Sequence, residues 1–386
     1  MKTNFDFVVV GAGVFGAWTA RHLRQSGASV ALMDAYGPGN SRSSSGGETR
    51  ILRVGYGADE LYTRWAIRSF PQWREFFDSA GENLFVPTGV LWLGHDSDPH
   101  LLGMLKLLAR CNIGCERLDA SEIARRYPQL RMPDVNLGVL EPESGVALSR
   151  RAVQAVVRHL EGSGVVVTAG DVEPPQGRGK LSEVRISGNR SLCAGNFIFA
   201  CGAWLPKIFP DVLGGKIFPT RQEVFFLGPP AGSGCFSAGN MPAWLHHSHP
   251  DRPYALPDIE SRGFKIALDR HGPEFDPDDG SRVVTSESVD HVREYLRKHV
   301  PGLADAPVVE TRVCQYENTW NGDFLIDRHP GYDNVWIAGG GSGHGFKHGP
   351  AVGEYLSGLI LSSGKDAPEP RFSLAGKQTQ QMRGVY

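Results

Sequence analysis

Residues 5–34, FDFVVVGAGVFGAWTARHLRQSGASVALMD, constrain the fold more than any other stretch of the chain. Phe7 to Val10 is an apolar, β-branched run of the kind buried in a parallel sheet. It leads into Gly11, Gly13 and Gly16 at G-x-G-x-x-G spacing. A helical segment, Ala17 to Arg24, follows and ends at Gly27; a second strand, Val30 to Met33, ends at Asp34. Gly11 permits the tight turn, Gly13 lets the backbone approach a pyrophosphate, and Gly16 lets helix and strand pack closely. The helix N-terminus then faces negative phosphates, and Asp34 accepts from a ribose hydroxyl. Strand, loop, helix, strand and acid in this order predict a dinucleotide-binding unit. FAD and NAD proteins share that unit, so the motif alone does not choose between them.

The chain has 386 residues, more than one ordinary core, so two domains are expected. Asp59 to Ala80 reads as a helix whose Leu61, Trp65, Phe70, Trp73 and Phe77 face the core. Strands are expected at Leu84–Leu93, Gly138–Leu140, Gly164–Thr168 and Phe197–Ala200, with a helix over Ser149–Leu160 capped by Ser149. Residues 215–310 change character. Their β-branched and aromatic runs (KIFPTRQEVFFLG, GFKIALD), prolines and single helix near Ser288–Lys298 predict a mostly antiparallel sheet. The α/β style returns with a strand at Asn334–Ala338, the Gly339–Gly345 loop and a helix through Ile360.

Net charge is −2, which argues against nucleic acid or an anionic membrane as partner. No apolar run is long enough to span a bilayer. The N-terminus enters a strand at once and the chain ends RGVY, so neither a signal peptide nor an SKL-type address is expected and a cytoplasmic location is the simplest reading. Six cysteines are then expected to be reduced: Cys111, Cys115, Cys193, Cys201, Cys235 and Cys314. Cys111 and Cys115 lack the second pair that a metal site needs, and His246, His247 and His249 read as a solvated loop, so no metal is expected.

The Gly339-Gly340-Gly341-Ser342-Gly343-His344-Gly345 loop lies between a strand and a helix. Such a loop presents backbone N–H groups and a helix dipole, a good place to stabilise a flavin ring that becomes anionic on reduction. Lys265 sits in the apolar run GFKIAL, where alternation leaves an outward-facing strand lysine as an equally simple reading.

Segments spread along nearly the whole chain carry a family resemblance: VVVGAGVFG, GGETRILR at 46–53, EPESGV, FACGAW, PTRQEV, GFK, RVCQY with DFLID, and GSGHGFK at 341–347. The chain resembles the monomeric sarcosine oxidase and N-methyltryptophan oxidase family, FAD-dependent amine oxidases of the D-amino acid oxidase-like group. The implied fold class is α/β + β. A discontinuous Rossmann-like FAD-binding domain would comprise residues 1–83, 141–214 and 311–386, and a second, mainly antiparallel-sheet substrate domain residues 84–140 and 215–310. The resemblance implies FAD bound covalently through Cys314. It implies further cofactor contacts from Gly11, Gly13, Val14, Phe15, Gly16, Asp34, Arg42, Val172, Gly202, Gly341, Gly343, His344, Gly345, Phe346 and Lys347. Lys265 would activate oxygen, Arg53 and Lys347 would hold a substrate carboxylate, Arg50 would lie close to the flavin ring, and Tyr254 would be an active-site tyrosine. Arg suits the carboxylate because its planar fork makes a two-point contact.

Two positions depart from the family pattern: Gly46 and Asp269 stand where histidines are typical. Those histidines line the small pocket of the sarcosine enzymes, so their replacement points to a different or larger amino acid, with Asp269 recognising a cationic group. The implied activity is oxidation of a carboxylate-bearing amine, an N-methyl or other secondary amino acid. Hydride passes to flavin, the imine hydrolyses, and O2 is reduced to H2O2; no protein acid–base residue is evident. A monomer acting on a small-molecule amino acid substrate and O2 follows. A dehydrogenase using a non-oxygen acceptor, a primary amino acid oxidase and a flavin-binding module of a larger complex stay open as alternatives.

Overall fold

The computed structural model describes residues 4–188, 190–362 and 368–377. Strand Asn4–Val10 is central to a seven-stranded sheet and pairs in parallel with Val30–Asp34 on one side and Arg190–Phe199 on the other. Val166–Ala169 extends one edge in parallel. Val335–Gly339 extends the other and carries the antiparallel strand Leu325–Arg328 at its border. A short strand, Glu183–Ile186, forms an antiparallel hairpin with Arg190–Phe199. The helices Val14–Gln25 and Gly349–Leu361 pack together on one face of this sheet. Gly353 marks their contact, since a Cβ there would come within 2.5 Å of the Trp18 backbone.

The second large sheet has eight strands in the order Val308–Thr319, Ile217–Leu227, Phe264–Leu268, Pro253–Leu256, Ala243–His246, Val90–Gly94, Leu137–Glu141, Glu116–Asp119. All neighbours are antiparallel except Ala243–His246 with Val90–Gly94. Helix Ser286–His299 covers one face through Val292, Tyr295 and Leu296, beside Trp244 and Ile266. A three-stranded sheet, Arg50–Leu52, Gly145–Ala147 and Phe85–Val86, links the two regions.

Several local expectations are corrected. The stretch expected as one strand over Leu84–Leu93 is two strands in different sheets, Phe85–Val86 and Val90–Gly94. Ser149 does not cap its helix: Leu148 holds that position and the Ser149 hydroxyl donates to the Gly47 carbonyl at 2.7 Å instead. Residues 311–319, grouped by sequence with the α/β part, continue the long edge strand of the antiparallel sheet, opposite Ile217–Phe225. The histidine cluster is not a solvated loop. His246 ends a strand fully buried, its Nδ1 2.9 Å from Tyr295 Oη, while His247 Nδ1 lies 2.7 Å from Asp98 Oδ2. Among the described residues no group of His, Cys, Asp and Glu could hold a metal, and no helix is long and apolar enough to cross a membrane.

Candidate active site

The nucleotide-binding opening forms the floor of a cavity of about 450 Å³. Gly11 adopts φ +104°, and a Cβ on it would come within 2.4 Å of the Ala200 carbonyl oxygen. A Cβ on Gly16 would sit 1.8 Å from the Gly11 carbonyl oxygen, so this glycine closes helix against strand. Gly13 differs: a Cβ there would meet only the Ser45 hydroxyl, at 3.4 Å, and the residue lines the cavity at the N-terminus of helix Val14–Gln25. Asp34 lines it too, holding the turn through Oδ2, which accepts from Ala12 N at 2.8 Å. Burial pushes the Asp34 carboxyl pKa up.

At one end the cavity is bounded by Tyr36, Val172, Gly202 and Trp204, whose indole donates to Asp278 Oδ1 at 2.7 Å. Arg42 is not among the lining residues; its guanidinium lies over the Tyr36 ring and donates to the Asp278 carbonyl at 3.3 Å. The other end is bounded by Arg50, Gln315, Tyr316, Glu317, Gly341, Gly343, Gly345 and Phe346. The glycine loop is shaped by close approach: a Cβ on Gly343 would come within 2.7 Å of the Tyr316 ring, and one on Gly345 within 3.0 Å of Phe15. Trp73 anchors its far side, donating to the Lys347 carbonyl at 3.1 Å and stacking on Phe346 at 5.4 Å between centroids. Glu317 is buried against this loop. Oε1 accepts from Gly341 N at 3.3 Å, Oε2 has no hydrogen-bond partner among the described residues, and burial raises the carboxyl to about 7. A dinucleotide fits this donor set. The glycines leave room for its phosphates, and the unpartnered Glu317 oxygen can accept from a hydroxyl or ring N–H.

A second, smaller cavity of about 60 Å³ adjoins the first through Arg50, Tyr316, Gly343 and Phe346. One face of the antiparallel sheet lines it. Register places Cys314 opposite Gln222, Val224 opposite Ala267, Ala267 opposite Tyr254, and Tyr254 opposite Leu245, and all six residues line the cavity. Strand alternation puts Tyr316 on the face of Cys314 and Lys265 on that of Ala267. Lys265 is therefore an inward lysine, 2% exposed, donating to the Thr49 carbonyl at 2.8 Å and to the Thr49 hydroxyl at 3.3 Å. Burial and Arg50 together push its pKa well below the ordinary 10.5.

Arg50 and Arg53 reach the cavity from the three-stranded sheet and the chain just after it. Arg50 Nη2 donates to the Ser44 carbonyl at 2.6 Å and to Cys314 Sγ at 3.4 Å. The Arg53 guanidinium donates to the Gly55 carbonyl and lies between Tyr56 and Trp92, 4.4 Å and 4.5 Å from the ring centroids. Behind it, Glu141 fixes the loop by accepting from Val54 N, Gly55 N, Trp92 Nε1 and Ser144 Oγ. Lys347 is buried and donates to Tyr56 Oη and to the His344 carbonyl, each at 2.9 Å. Asp269, just past strand Phe264–Leu268, accepts from Tyr316 Oη at 2.6 Å. Lys265, Arg50, Arg53, Lys347, Tyr254 and Cys314 thus converge on one cavity, from segments as far apart as residues 50 and 347.

A family profile described as DAO, FAD dependent oxidoreductase, matches residues 6–359. The chain belongs to this family. It is 31% identical over 373 residues to the monomeric sarcosine oxidase of Bacillus sp. (strain B-0618), covering 94% of this chain and 93% of that one. It is 30% identical to the human peroxisomal sarcosine oxidase over 93% of each chain, and 28% identical to the N-methyl-L-tryptophan oxidase of Citrobacter koseri over 91% and 93%. Among solved structures it is similar to L-proline dehydrogenase from P. horikoshii, with a TM-score of 0.83 at 21% identity over 97% and 98% of the chains. It is also similar to a modified fructosyl peptide oxidase from Aspergillus nidulans, with a TM-score of 0.82 at 18% identity over 98% and 95%. The protein is an FAD-dependent oxidoreductase with the two-sheet fold of these flavoproteins.

Sequence reasoning missed Tyr316, Gln222, Glu317 and Tyr56. The period-2 signal was present for one of them: Tyr316 follows Cys314 by two residues. Nothing local marks Tyr56, whose hydroxyl lies 3.1 Å from His344 Nδ1 and 2.8 Å from His348 Nε2.

Proposed function

We propose that the protein oxidises a small carboxylate-bearing secondary amine, such as an N-methyl amino acid, and reduces O2 to H2O2. One observation carries this reading: four basic side chains, the buried Arg53, Lys265 and Lys347 and the half-buried Arg50, line a small cavity that adjoins the dinucleotide cavity. The relatives named sarcosine oxidase and N-methyl-L-tryptophan oxidase support the same substrate class. Bound FAD supplies the redox chemistry, taking a hydride from the carbon next to nitrogen and passing electrons to O2.

The chain's own residues do the rest. Arg53 and Lys347 hold the carboxylate in a dry site, where charge pairing is strong and orientation is fixed. Lys265, on the sheet face, meets the negative charge that forms on reduced oxygen. Because burial disfavours its ammonium, that charge is stabilised most when an anion develops beside it. Cys314 is the attachment point for the flavin, with the Arg50 guanidinium donating to its sulfur and so fixing it at the junction of the two cavities. The seven-stranded sheet then serves as the cofactor layer and the eight-stranded sheet as the substrate layer, in a chain that acts as a monomer.

The test is anaerobic bleaching of the bound flavin by a panel of N-methyl, cyclic and primary amino acids, followed by readmission of air. Bleaching by secondary amino acids that air reverses, with H2O2 formed, is the expected result. Bleaching that air leaves unreversed would replace the oxidase with a dehydrogenase. No bleaching by any of them, with dithionite still reducing the flavin, would overturn the substrate class.

A further inference from the structure

Asp269 is the one acidic side chain lining the small cavity among the described residues, against its four cations. It is 7% exposed. Tyr316 Oη donates to Oδ1 at 2.6 Å, while Oδ2 has no hydrogen-bond partner among the described residues. In a side chain this buried, a carboxylate oxygen with an open lone pair at the cavity is costly unless water or a ligand donates to it. Tyr316, Arg53, Lys347 and Arg252 are the groups that act on it most strongly. Tyr254, three strands along the sheet from Tyr316, and Arg50, Lys265, Cys314 and His344 are the other titratable or charged groups lining the cavity.

The cations suit a substrate's carboxylate. The remaining charge on an amino acid is its ammonium group, and an ammonium cannot give up a hydride from the neighbouring carbon because nitrogen has no free pair to assist. We propose that Asp269 accepts the proton of the bound ammonium group and so delivers the neutral amine to oxidation. This role rests on the amine-oxidation reading above, and it supplies the acid–base group that the sequence did not reveal. An N–H bond breaks and an O–H bond forms on Oδ2, while nitrogen keeps the electron pair. The C–H pair then leaves as hydride, producing a protonated imine, and Asp269 loses its proton to solvent after the product departs. Burial, opposed by Tyr316 and the neighbouring cations, leaves the carboxyl at about 6, ionised at neutral pH. The substrate's carboxylate, arriving nearby, makes it more basic still.

The experiment is the pH dependence of anaerobic flavin reduction (limiting rate over Kd) by an N-methyl amino acid, in wild type and D269N, from about pH 6 to about pH 10. The amide of D269N can still accept from Tyr316. Wild type is expected to be level between about pH 7 and pH 9. D269N is expected to rise about tenfold per pH unit toward the amine pKa of about 10, which puts it about 100-fold below wild type at pH 8. D269H, which restores a base, is expected to restore the level profile. Parallel profiles in wild type and D269N would overturn the proposal. So would a uniform loss at every pH confined to amines with a second positive charge, which would make Asp269 a side-chain recogniser. If D269N does not fold, the wild-type profile decides: a climb toward the amine pKa overturns the proposal and a level profile supports it. If no amine bleaches wild type at any pH, amine oxidation falls and this role with it, whereas bleaching with parallel profiles removes Asp269 alone.

Discussion

Arg50 Nη2 lies 3.4 Å from Cys314 Sγ, across 264 residues of chain. The guanidinium has little freedom to move away: Nη2 also donates to the Ser44 carbonyl at 2.6 Å, Nη1 donates to the Thr49 carbonyl at 2.9 Å, and Gly47 leaves room for it where a Cβ would come within 2.1 Å. Burial opposes its charge, but Cys314, Tyr254 and Tyr316 outweigh that and hold its pKa above the ordinary value. This contact joins the glycine-rich loop after Asp34 to the edge strand of the antiparallel sheet, at the place where the two cavities meet.

If Cys314 carries the flavin, wild-type protein denatured in acid and run on a denaturing gel keeps a fluorescent band. Cys314→Ala loses that band while retaining the fold, because the cysteine is only partly buried and makes two weak hydrogen bonds, accepting from Arg50 and donating to the Gln315 carbonyl. Flavin released from denatured wild type would show that the cofactor is held without a covalent bond.

Lys265→Met keeps a chain of similar length in a buried strand and removes the charge. Reoxidation of reduced enzyme by O2 is expected to slow by roughly two to three powers of ten, the usual loss when one preorganised charge is removed from a developing anion. Anaerobic reduction by substrate should stay close to wild type. Stopped-flow measurement of the two half-reactions separates these effects, and equal losses in both would mean that Lys265 serves the substrate rather than oxygen.

The parallel sheet was legible because its signals are local: an apolar run, glycines at fixed offsets and an acid all lie within residues 7–34. Candidate residues far apart in sequence could be named through the family resemblance, but their convergence was not visible. Cys314, Val224, Ala267 and Tyr254 meet through strand register, which only the paired strands define. Lys265 shows the limit well: alternation allows either face, and the choice depends on whether something buried can accept its protons, as Thr49 does. Prolines and polar neighbours make residues 246–249 look like a loop in the sequence, whereas helix Ser286–His299 covers His246 and His249 with Tyr295 and His299, and His247 stacks on His100 instead.

That buried cluster makes stability depend on pH. Burial lowers the pKa of His246 below the ordinary 6.5, with Asp134 acting in the opposite sense, and His299 shifts the same way. The fold thus favours the neutral imidazole. The stabilisation is fully present above about pH 6.5 and is lost as pH falls below it toward the depressed folded value. His246→Asn, whose amide can take the place of Nδ1 against Tyr295, is expected to flatten the fall of Tm between about pH 7 and about pH 5. A slope identical to wild type in a thermal-melt series would assign the acid sensitivity to other groups.

Gly46 replaces a histidine typical of the resembled family, and the structure shows why no side chain fits there. A Cβ would lie 1.7 Å from the Asn40 carbonyl oxygen and 3.2 Å from Ser41 Cα, backbone atoms that cannot swing aside. The Gly46 carbonyl also accepts from Arg150 Nε and Nη2, at 3.0 Å and 2.9 Å, and so fixes the turn to helix Ser149–Gly162. Gly46→Ala must therefore displace the loop that carries Ser45, whose hydroxyl accepts from Val14 N at the start of the nucleotide-binding helix. The expected cost is about 2 kcal/mol or more in stability, with weaker flavin retention as a second consequence. Chemical denaturation and the flavin-to-protein absorbance ratio measure the two effects. A Gly46→Ala protein with wild-type stability and full flavin would show that the loop has room to yield, and that a histidine could stand there after all.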